Sequence, residues 1–311
     1  MSIGHRIRIA LRKGLALTST VLPRERSLRV ERYLRGWEDD RILRESDVVI
    51  VSYGKSGRTW LRVLLSRYYQ LRYNLPANRL LQDDNMHALN RAVPRVFFTH
   101  DNYLEDYTGT PNSKAPYANN QVVLLVRHPA DTAVSQFFQW KHRMRDRKKF
   151  INSYPETSGD MPPFDFVFDE KAGIPKIIRF MNLWASEFDT MKTIRVVRYE
   201  TLRRDTARTL GDVLGFMNET PTADELAQCV EFASVENMRA MEKGKVFQDV
   251  GDRLMPRDSN NPDSYKVRRA KVGGYRDYFT DEQIAKIDEL VATTLSPAFG
   301  YGDASPDPRV V

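Results

Sequence analysis

Short runs of β-branched and aliphatic residues recur along the chain and predict the strands of a sheet. The runs cover residues 48–51, 95–99, 121–126 and 193–198. The first and third are apolar nearly throughout, which is typical of parallel strands that are buried on both faces. Between the runs, apolar residues recur at helical spacing, as in residues 60–69 and 174–188. This alternation predicts an α/β fold with a mainly parallel sheet flanked by helices.

The division of the chain follows from the same pattern. Its 311 residues suffice for one large α/β domain or two smaller ones. We predict a single domain over residues 41–300, preceded by a basic helical extension over residues 1–40. Residues 301–311, which contain Pro306 and Pro308, are predicted to be a loose tail.

The arginine-rich segment of residues 1–35 carries apolar residues four positions apart, at Ile3, Ile7, Leu11 and Leu15. Its longest stretch without charge or proline, residues 14–22, is far shorter than the roughly 20 residues that span a bilayer. We interpret the segment as a surface helix. Two placements remain open: docking on the domain, or peripheral contact with an anionic membrane.

The net charge of +7 and the isoelectric point near 9.4 indicate anionic partners. Nucleotides with several phosphates, sulfated glycans and anionic lipid surfaces all fit this charge. Cys229 is the single cysteine, so the chain has no internal disulfide framework, and its apolar neighbours predict a buried thiol. The five histidines have no zinc-like spacing with it, so no metal site is predicted.

A glycine-containing loop, residues 54–59, joins the first predicted strand to the first helix. Strand, tight loop and helix N-terminus together form an anion site, because free backbone N–H groups and the helix dipole point at the loop. Lys55 adds a charge, and Ser56 and Thr59 add hydroxyl groups. The Walker A pattern is not met, since Val49 stands where its first glycine would be. The alternative is an ordinary turn with a solvated lysine.

Polar residues also follow the second and third strands. His100 and Asp101 end the second strand, so they lie on the same rim of the sheet as Lys55. Arg127 ends the third strand, and Ser135 follows eight residues later in the next helix. An arginine and a serine so placed can meet around one phosphate. The alternatives are a structural histidine and a surface ion pair.

These motifs resemble those of the sulfotransferases that use 3′-phosphoadenosine 5′-phosphosulfate (PAPS). The family's loop Pro-Lys-Ser-Gly-Thr-Thr-Trp reads Gly-Lys-Ser-Gly-Arg-Thr-Trp at residues 54–60. Its Arg-Asn-Pro-x-Asp-x-x-x-Ser element reads Arg-His-Pro-Ala-Asp-Thr-Ala-Val-Ser at residues 127–135. Phe98 replaces the lysine of the family's Lys-Thr-His element, and residues 268–270 form a degraded Arg-Lys-Gly. The resemblance covers about residues 47–295 and implies a P-loop-like central parallel sheet with helices on both faces.

The resemblance implies transfer of a sulfuryl group from PAPS to a hydroxyl or amine by in-line displacement. Lys55 would neutralise the bridging oxygen, and His100 would be the general base with Asp101 in reserve. The residues expected to hold the 5′-phosphosulfate are Ser56, Gly57, Arg58 and Thr59. Those expected near the adenine are Trp60 and Tyr199. Those expected near the 3′-phosphate are Arg127, Ser135, Arg268 and Arg269. No metal is required by this scheme.

The acceptor stays open between a small molecule, a glycan and a lipid, and no nucleic acid partner is expected. We expect the acceptor to be lined by residues 80–90, 101–120, 141–170 and 240–265, the last of these forming a lid. A cytoplasmic location fits the single cysteine and the lack of a spanning segment. The rival interpretations are a P-loop nucleotide kinase or NTPase and a non-catalytic binder of anionic glycan or lipid. The kinase would need a strand-end carboxylate for Mg²⁺, where this chain has Arg127.

Overall fold

A parallel sheet forms the centre of the structure, a computed structural model that describes residues 14, 22–156, 161–244, 246–247, 254, 258, 260–302 and 305–311. Its strands are β1 (Val48–Ser52), β2 (Val96–Thr99), β3 (Gln121–Val126) and β4 (Thr193–Arg198). They lie in the order β2-β1-β3-β4, and every neighbouring pair is parallel. The predicted strands and their parallel arrangement are therefore confirmed.

Helices connect and cover these strands. Those that precede β4 are α1 (Arg24–Glu45), α2 (Arg58–Arg72), α3 (Leu104–Thr108), α4 (Pro129–His142), α5 (Asp146–Ile151), α6 (Pro163–Phe168) and α7 (Ile174–Ser186). Those that follow β4 are α8 (Tyr199–Arg204), α9 (Thr206–Phe216), α10 (Ala223–Phe232), α11 (Val235–Gly244) and α12 (Asp281–Thr294). Capping boxes begin two of these helices, at Thr222 for α10 and at Thr280 for α12.

Both faces of the sheet are buried, because successive residues of each strand enter different cores. Val48 and Ile50 of β1 pack in a core with α2, α9 and α10. Val49 and Val51 pack on the opposite face with α4, α7 and α12. A strand covered on both sides has no solvent face to mark with polar residues, which explains the unbroken apolar runs. Cys229 is fully buried in the first core, as the sequence predicts.

The strand order creates the crevice in which the functional residues lie. The chain leaves β1 for β2 on one side, and then returns to place β3 on the other side of β1. In open parallel sheets, ligands bind at such a reversal of order, outside the carboxyl ends of the strands. The loops after β1, β2 and β3 therefore converge on one rim.

The N-terminal boundary differs from the predicted one at residue 40, which falls inside α1. This helix docks on α3, where a Cβ at Gly36 would lie 2.2 Å from the carbonyl oxygen of Tyr103. Arg32 bonds to Asp106 at 3.0 Å and to the carbonyl oxygen of Asn102 at 2.9 Å. The predicted membrane contact falls mostly on residues 1–13 and 15–21, which lie outside the described residues. No helix in the described ranges is long and apolar enough to cross a membrane.

The C-terminal residues pair with β4, where the sequence predicts a loose tail. Val310 forms a parallel bridge with Val196, and the Val311 N–H donates to the Val196 carbonyl at 2.9 Å. The Arg198 N–H in turn donates to the Val311 carbonyl at 3.0 Å. The prediction of a tail is wrong for these residues, because β4 leaves an open edge that a short valine pair can occupy.

Candidate active site

A cavity of about 450 Å³ opens at the carboxyl ends of β1, β2 and β3. The predicted site residues that line it are Lys55, Gly57, Arg58, Thr59, Trp60, His100, Arg127, Ser135, Tyr199, Arg268 and Arg269. Among the described residues, the cavity wall contains eleven lysines and arginines but one carboxylate, Asp131. The basic character of the chain is thus concentrated in a concave site that suits a polyanion.

The loop after β1 has the geometry of an anion-binding turn. Lys55 has a φ of 74° and Gly57 a φ of 97°, both in the left-handed region. Gly57 is required by space as well, because a Cβ there would lie 2.6 Å from Cδ2 of Tyr199. Arg58 then begins α2, so its first N–H groups have no acceptor within the helix. Ser56 is only 2% exposed and does not line the cavity, so its hydroxyl is not among the groups at the cavity wall.

Lys55 belongs to a crowded group of cations. Burial, and then repulsion from Arg143, lowers the pKa of Lys55 to about 7. Burial, Arg143 and Lys55 likewise hold the pKa of Lys266 well below its ordinary value. Glu242 is the carboxylate beside them; it accepts from the backbone N–H groups of Lys266 at 2.7 Å and Val267 at 3.0 Å. A bound anion would relieve the remaining repulsion.

His100 is held as a neutral ring with a defined tautomer. Its Nδ1 lies 2.8 Å from the carbonyl oxygen of Ser52, which can only accept, so Nδ1 carries the proton. Its Nε2 accepts a hydrogen bond from the guanidinium of Arg58. Burial, followed by the charges of Arg58 and Lys148, holds the pKa of His100 well below 6.5. The ring is therefore unprotonated near neutral pH, as a general base must be.

Asp101 does not fit the role of reserve base. Its side chain is 4% exposed and pairs with the Lys114 ammonium at 2.7 Å. The Tyr117 hydroxyl donates to its other oxygen at 2.9 Å. Asp101 has a φ of 53°, which turns the chain away after His100, and it does not line the cavity. The prediction placed it on the rim from strand position alone and overlooked these two buried partners.

Arg127 links three parts of the cavity wall. Its guanidinium donates to the carbonyl oxygens of Lys55 at 3.3 Å and Lys271 at 3.0 Å. It also lies 4.5 Å from the centre of the Tyr199 ring. Asp131, 3.6 Å from Arg127, accepts from the backbone N–H groups of Gly273 at 2.8 Å and Tyr275 at 2.9 Å. Helix α4 thereby fixes the C-terminal loop against the loop after β1.

The two arginines of the degraded C-terminal motif are not equivalent. The Arg268 guanidinium lies 3.7 Å from the centre of the Phe138 ring and donates to the Tyr278 hydroxyl, so it is held inside the cavity. Arg269 is 49% exposed and pairs with Asp277 at 3.2 Å, so it lies at the rim. Ala270 has a φ of 52° and adopts the left-handed conformation that the family's glycine would take more easily.

The remaining predicted contacts are two rings and a hydroxyl. Trp60 donates from Nε1 to the carbonyl oxygen of Ala233 at 2.8 Å, which fixes its indole in the wall. Tyr199 meets this indole edge to face, with ring centres 6.0 Å apart. Ser135 is half-buried on α4 and lines the same cavity as Arg127. The three residues are thus available to a nucleotide that lies between α2 and α4.

Several cavity residues were not predicted, because they come from segments without a recognisable motif. The Arg62 guanidinium lies 3.9 Å from the centre of the Phe98 ring. A cation from α2 therefore lies beside the residue that replaces the lysine of the family's Lys-Thr-His element. Lys148, Lys176 and Lys266 also line the cavity. Of these, only Lys148 falls in a segment that is predicted to line the acceptor, residues 141–170.

The predicted acceptor segments are found only in part. Asn102 represents residues 101–120, and Met144, Lys148, Asn152 and Tyr154 represent residues 141–170. Residues 80–90 do not line the cavity; Leu80, Leu81 and Met86 are buried in the core instead. Much of the predicted lid, residues 240–265, lies outside the described residues. The described part of the chain contains no cluster of three or more His, Cys, Asp or Glu side chains that could hold a metal ion.

Comparison with known proteins identifies the family. The profile of the sulfotransferase domain matches residues 45–298. Cytosolic sulfotransferase 17 of Arabidopsis thaliana is 26% identical over 270 residues, which cover 80% of this chain and 74% of that protein. Flavonol 3-sulfotransferase of Flaveria bidentis is 24% identical over 272 residues, covering 80% and 82%. The crystal structure of mouse sulfotransferase SULT7A1 complexed with PAP superposes with a TM-score of 0.54 at 20% identity, covering 86% of this chain and 90% of that one. The chain therefore belongs to the sulfotransferase domain family, to which its motifs bear the resemblance described above.

Proposed function

We propose that this protein transfers a sulfuryl group from PAPS to the hydroxyl (or amine) of an acceptor, with His100 as the general base. One arrangement carries the proposal: Lys55, His100 and Arg127 follow three neighbouring strands and line one cationic cavity. The mouse relative was crystallised with PAP, 3′-phosphoadenosine 5′-phosphate, which is PAPS without its sulfuryl group. This supports the same donor here.

The donor's two charged ends match two groups of cations. The backbone of residues 56–59 and the ammonium of Lys55 would hold the 5′-phosphosulfate. Arg127 and Arg268, with Ser135, would hold the 3′-phosphate, and Arg269 would add charge at the rim. Trp60 and Tyr199 would flank the adenine. This scheme requires no metal ion.

The transfer step needs little covalent chemistry from the protein. The acceptor oxygen attacks sulfur while the bond from sulfur to the 5′-phosphate oxygen breaks. Nε2 of His100 takes the proton of the attacking hydroxyl, and Lys55 stabilises the negative charge that develops on the leaving oxygen. Catalysis then comes from positioning and electrostatics, as in phosphoryl transfer.

The names of the relatives support a class of acceptor and a location for the protein. A small-molecule acceptor is supported by the name of the flavonol sulfotransferase among the relatives. A cytoplasmic location is supported by the name of the cytosolic sulfotransferase among them.

Calorimetric titration with PAP, AMP and ATP·Mg tests the donor site. We expect PAP to bind without added metal and at least tenfold more tightly than AMP. Arg127→Ala should remove this preference for the 3′-phosphate. Arg276→Ala is the matched control, because Arg276 carries the same charge but pairs outside the cavity with Asp288 at 2.8 Å. Equal or tighter binding of ATP·Mg would refute the donor and favour the nucleotide kinase.

The general base is tested by His100→Asn. We expect PAP binding within twofold of wild type and a loss of turnover of about 10²–10⁴-fold with radiolabelled PAPS. Turnover that survives this substitution would refute His100 as the base.

A further inference from the structure

A second group of lysines lines the cavity away from the residues proposed for the donor. Lys148 lies on α5 and Lys176 in the first turn of α7. Both line the same cavity as His100, together with Asn152 and Tyr154. None of these residues belongs to the proposed donor site, so the two lysines are available to a different ligand.

The ammonium of Lys176 uses only part of its hydrogen-bonding capacity within the described protein. Its Nζ donates to the carbonyl oxygen of Asn152 at 3.0 Å and lies 4.6 Å from the centre of the Tyr154 ring. No described carboxylate lies within ion-pair distance of it. Burial, and then the charges of Arg32 and Arg179, lower the pKa of Lys176 to about 8. The remaining N–H groups of the ammonium are thus available to a ligand.

Lys148, like Lys176, has no carboxylate partner in the described chain, and in this it differs from its neighbour Lys149. Lys149 pairs with Asp146 at 3.6 Å, whereas Lys148 pairs with no carboxylate of the described chain. Burial and the charge of Arg58 lower the pKa of Lys148. Its charge also acts on His100, whose pKa it helps to lower. Because Lys148 and His100 line the same cavity, an acceptor that the base deprotonates can also reach Lys148.

We propose that the acceptor carries an anionic group, a phosphate, sulfate or carboxylate, which Lys148 and Lys176 bind while the reactive hydroxyl meets His100. Two cations without carboxylate partners are unfavourable in an enclosed site, and an anion from the substrate would compensate them. A neutral phenol would leave both lysines desolvated and unpaired. The inference rests on the sulfuryl transfer proposed above and narrows its acceptor to anionic hydroxyl compounds.

Binding to the PAP-saturated protein tests the inference without turnover. Phenyl phosphate is the probe, because it has an anionic group and no free hydroxyl, and benzyl alcohol is its neutral counterpart. We expect phenyl phosphate alone to bind at one site, and Lys148→Met or Lys176→Met to weaken it about tenfold or more. Lys171→Met is the control, since Lys171 is exposed and outside the cavity.

Two binding results would overturn the inference. Phenyl phosphate that fails to bind, or binds equally well to both lysine variants, would show that these lysines do not hold an anion. A loss of PAP affinity in the lysine variants would assign them to the donor site instead. PAP binding that depends on Arg127 but not on these lysines keeps the donor proposal separate from the acceptor proposal.

A set of matched phenols tests the same lysines during turnover. The probes are 3-(4-hydroxyphenyl)propionate, 4-propylphenol and tyramine, which differ mainly in charge. With radiolabelled PAPS we expect kcat/KM to fall about tenfold or more from the anionic to the neutral phenol. Lys148→Glu with Lys176→Glu should reverse that order. A neutral phenol preferred by wild type, or an order that the substitutions leave unchanged, would contradict the inference. If none of the phenols reacts, the phenyl phosphate titration decides.

Discussion

The guanidinium of Arg58 donates to Nε2 of His100, while Nδ1 of the same ring donates to the Ser52 carbonyl oxygen at 2.8 Å. Arg58 thus occupies the lone pair that would accept the acceptor's proton, and its charge helps to keep the ring neutral. An acceptor hydroxyl must replace this contact before it can react. The family pattern Pro-Lys-Ser-Gly-Thr-Thr-Trp has a threonine at this position, which carries no charge.

Replacement of Arg58 should change the pH dependence of turnover. A base works only when unprotonated, so kcat/KM falls as the pH drops below the pKa of His100. Burial and Arg58 place that pKa well below 6.5 in the intact protein. In Arg58→Ala we expect the acid limb to move upward by about one pH unit or more. Arg276→Ala, which alters a distant arginine, should leave the profile in place, and an unmoved limb in Arg58→Ala would contradict the argument.

Binding of PAP should be coupled to proton uptake. Burial and the neighbouring cations place the pKa of Lys55 at about 7, and a bound anion raises it. At pH 8 the lysine is then mostly neutral before binding and charged afterwards, so affinity should weaken as the pH rises above 7. Calorimetry in HEPES and Tris, which differ in ionisation enthalpy, measures the protons taken up. Lys55→Met should reduce the uptake by up to about one proton, with any remainder assigned to Lys266.

Gly57→Ala should weaken PAP binding strongly. The substitution introduces a Cβ 2.6 Å from the Tyr199 ring at a residue whose φ is 97°. We expect a loss of affinity beyond tenfold and a free energy of unfolding lowered by about 1–2 kcal/mol. Gly215→Ala is the matched control, because a Cβ there meets nothing within 4 Å inside α9. That change should leave binding intact and stabilise the helix by about 0.5–1 kcal/mol, so similar effects of the two substitutions would refute a role for the loop geometry.

Asp101→Asn should lower the free energy of unfolding and leave kcat nearly unchanged. The carboxylate is buried between Lys114 and Tyr117 and does not line the cavity. Loss of its charge leaves the buried Lys114 unpaired, so we expect the free energy of unfolding to fall by about 3 kcal/mol. Chemical denaturation measures this loss, and kcat at a temperature where the variant is folded should stay within about threefold of wild type. A large loss of kcat with normal stability would restore Asp101 as a candidate base.

The sheet and several of the residues that line the cavity next to it could be predicted from the sequence for one physical reason. Strands buried on both faces must be apolar, so their ends are visible, and Lys55, His100 and Arg127 stand directly at those ends. The burial of Ser56 could not be predicted in this way, because its loop position gives no sign of how much of the residue is exposed. The roles proposed for all these residues remain predictions until binding and turnover are measured.

The two lysines proposed to bind the acceptor could not be predicted from strand ends. Lys148 and Lys176 lie on separate helices, and only the packing of α5 against the start of α7 brings Asn152 to the Lys176 ammonium. Similarly, Glu242 meets the backbone of Lys266 across more than twenty residues, partly through a segment with no helical or strand period. Such contacts depend on tertiary structure, which leaves no regular spacing in the sequence.

The pairing of Val310 and Val311 with β4 also bears on how the protein behaves at high concentration. β4 is the edge strand beside β3, and the C-terminal residues occupy the backbone groups of Val196 and Arg198 on its outer side. Removal of residues 305–311 would expose these groups next to a buried apolar strand, which is a template for pairing between molecules. We therefore expect a truncated protein to self-associate, with increased light scattering on gentle warming, while its nucleotide cavity is still formed.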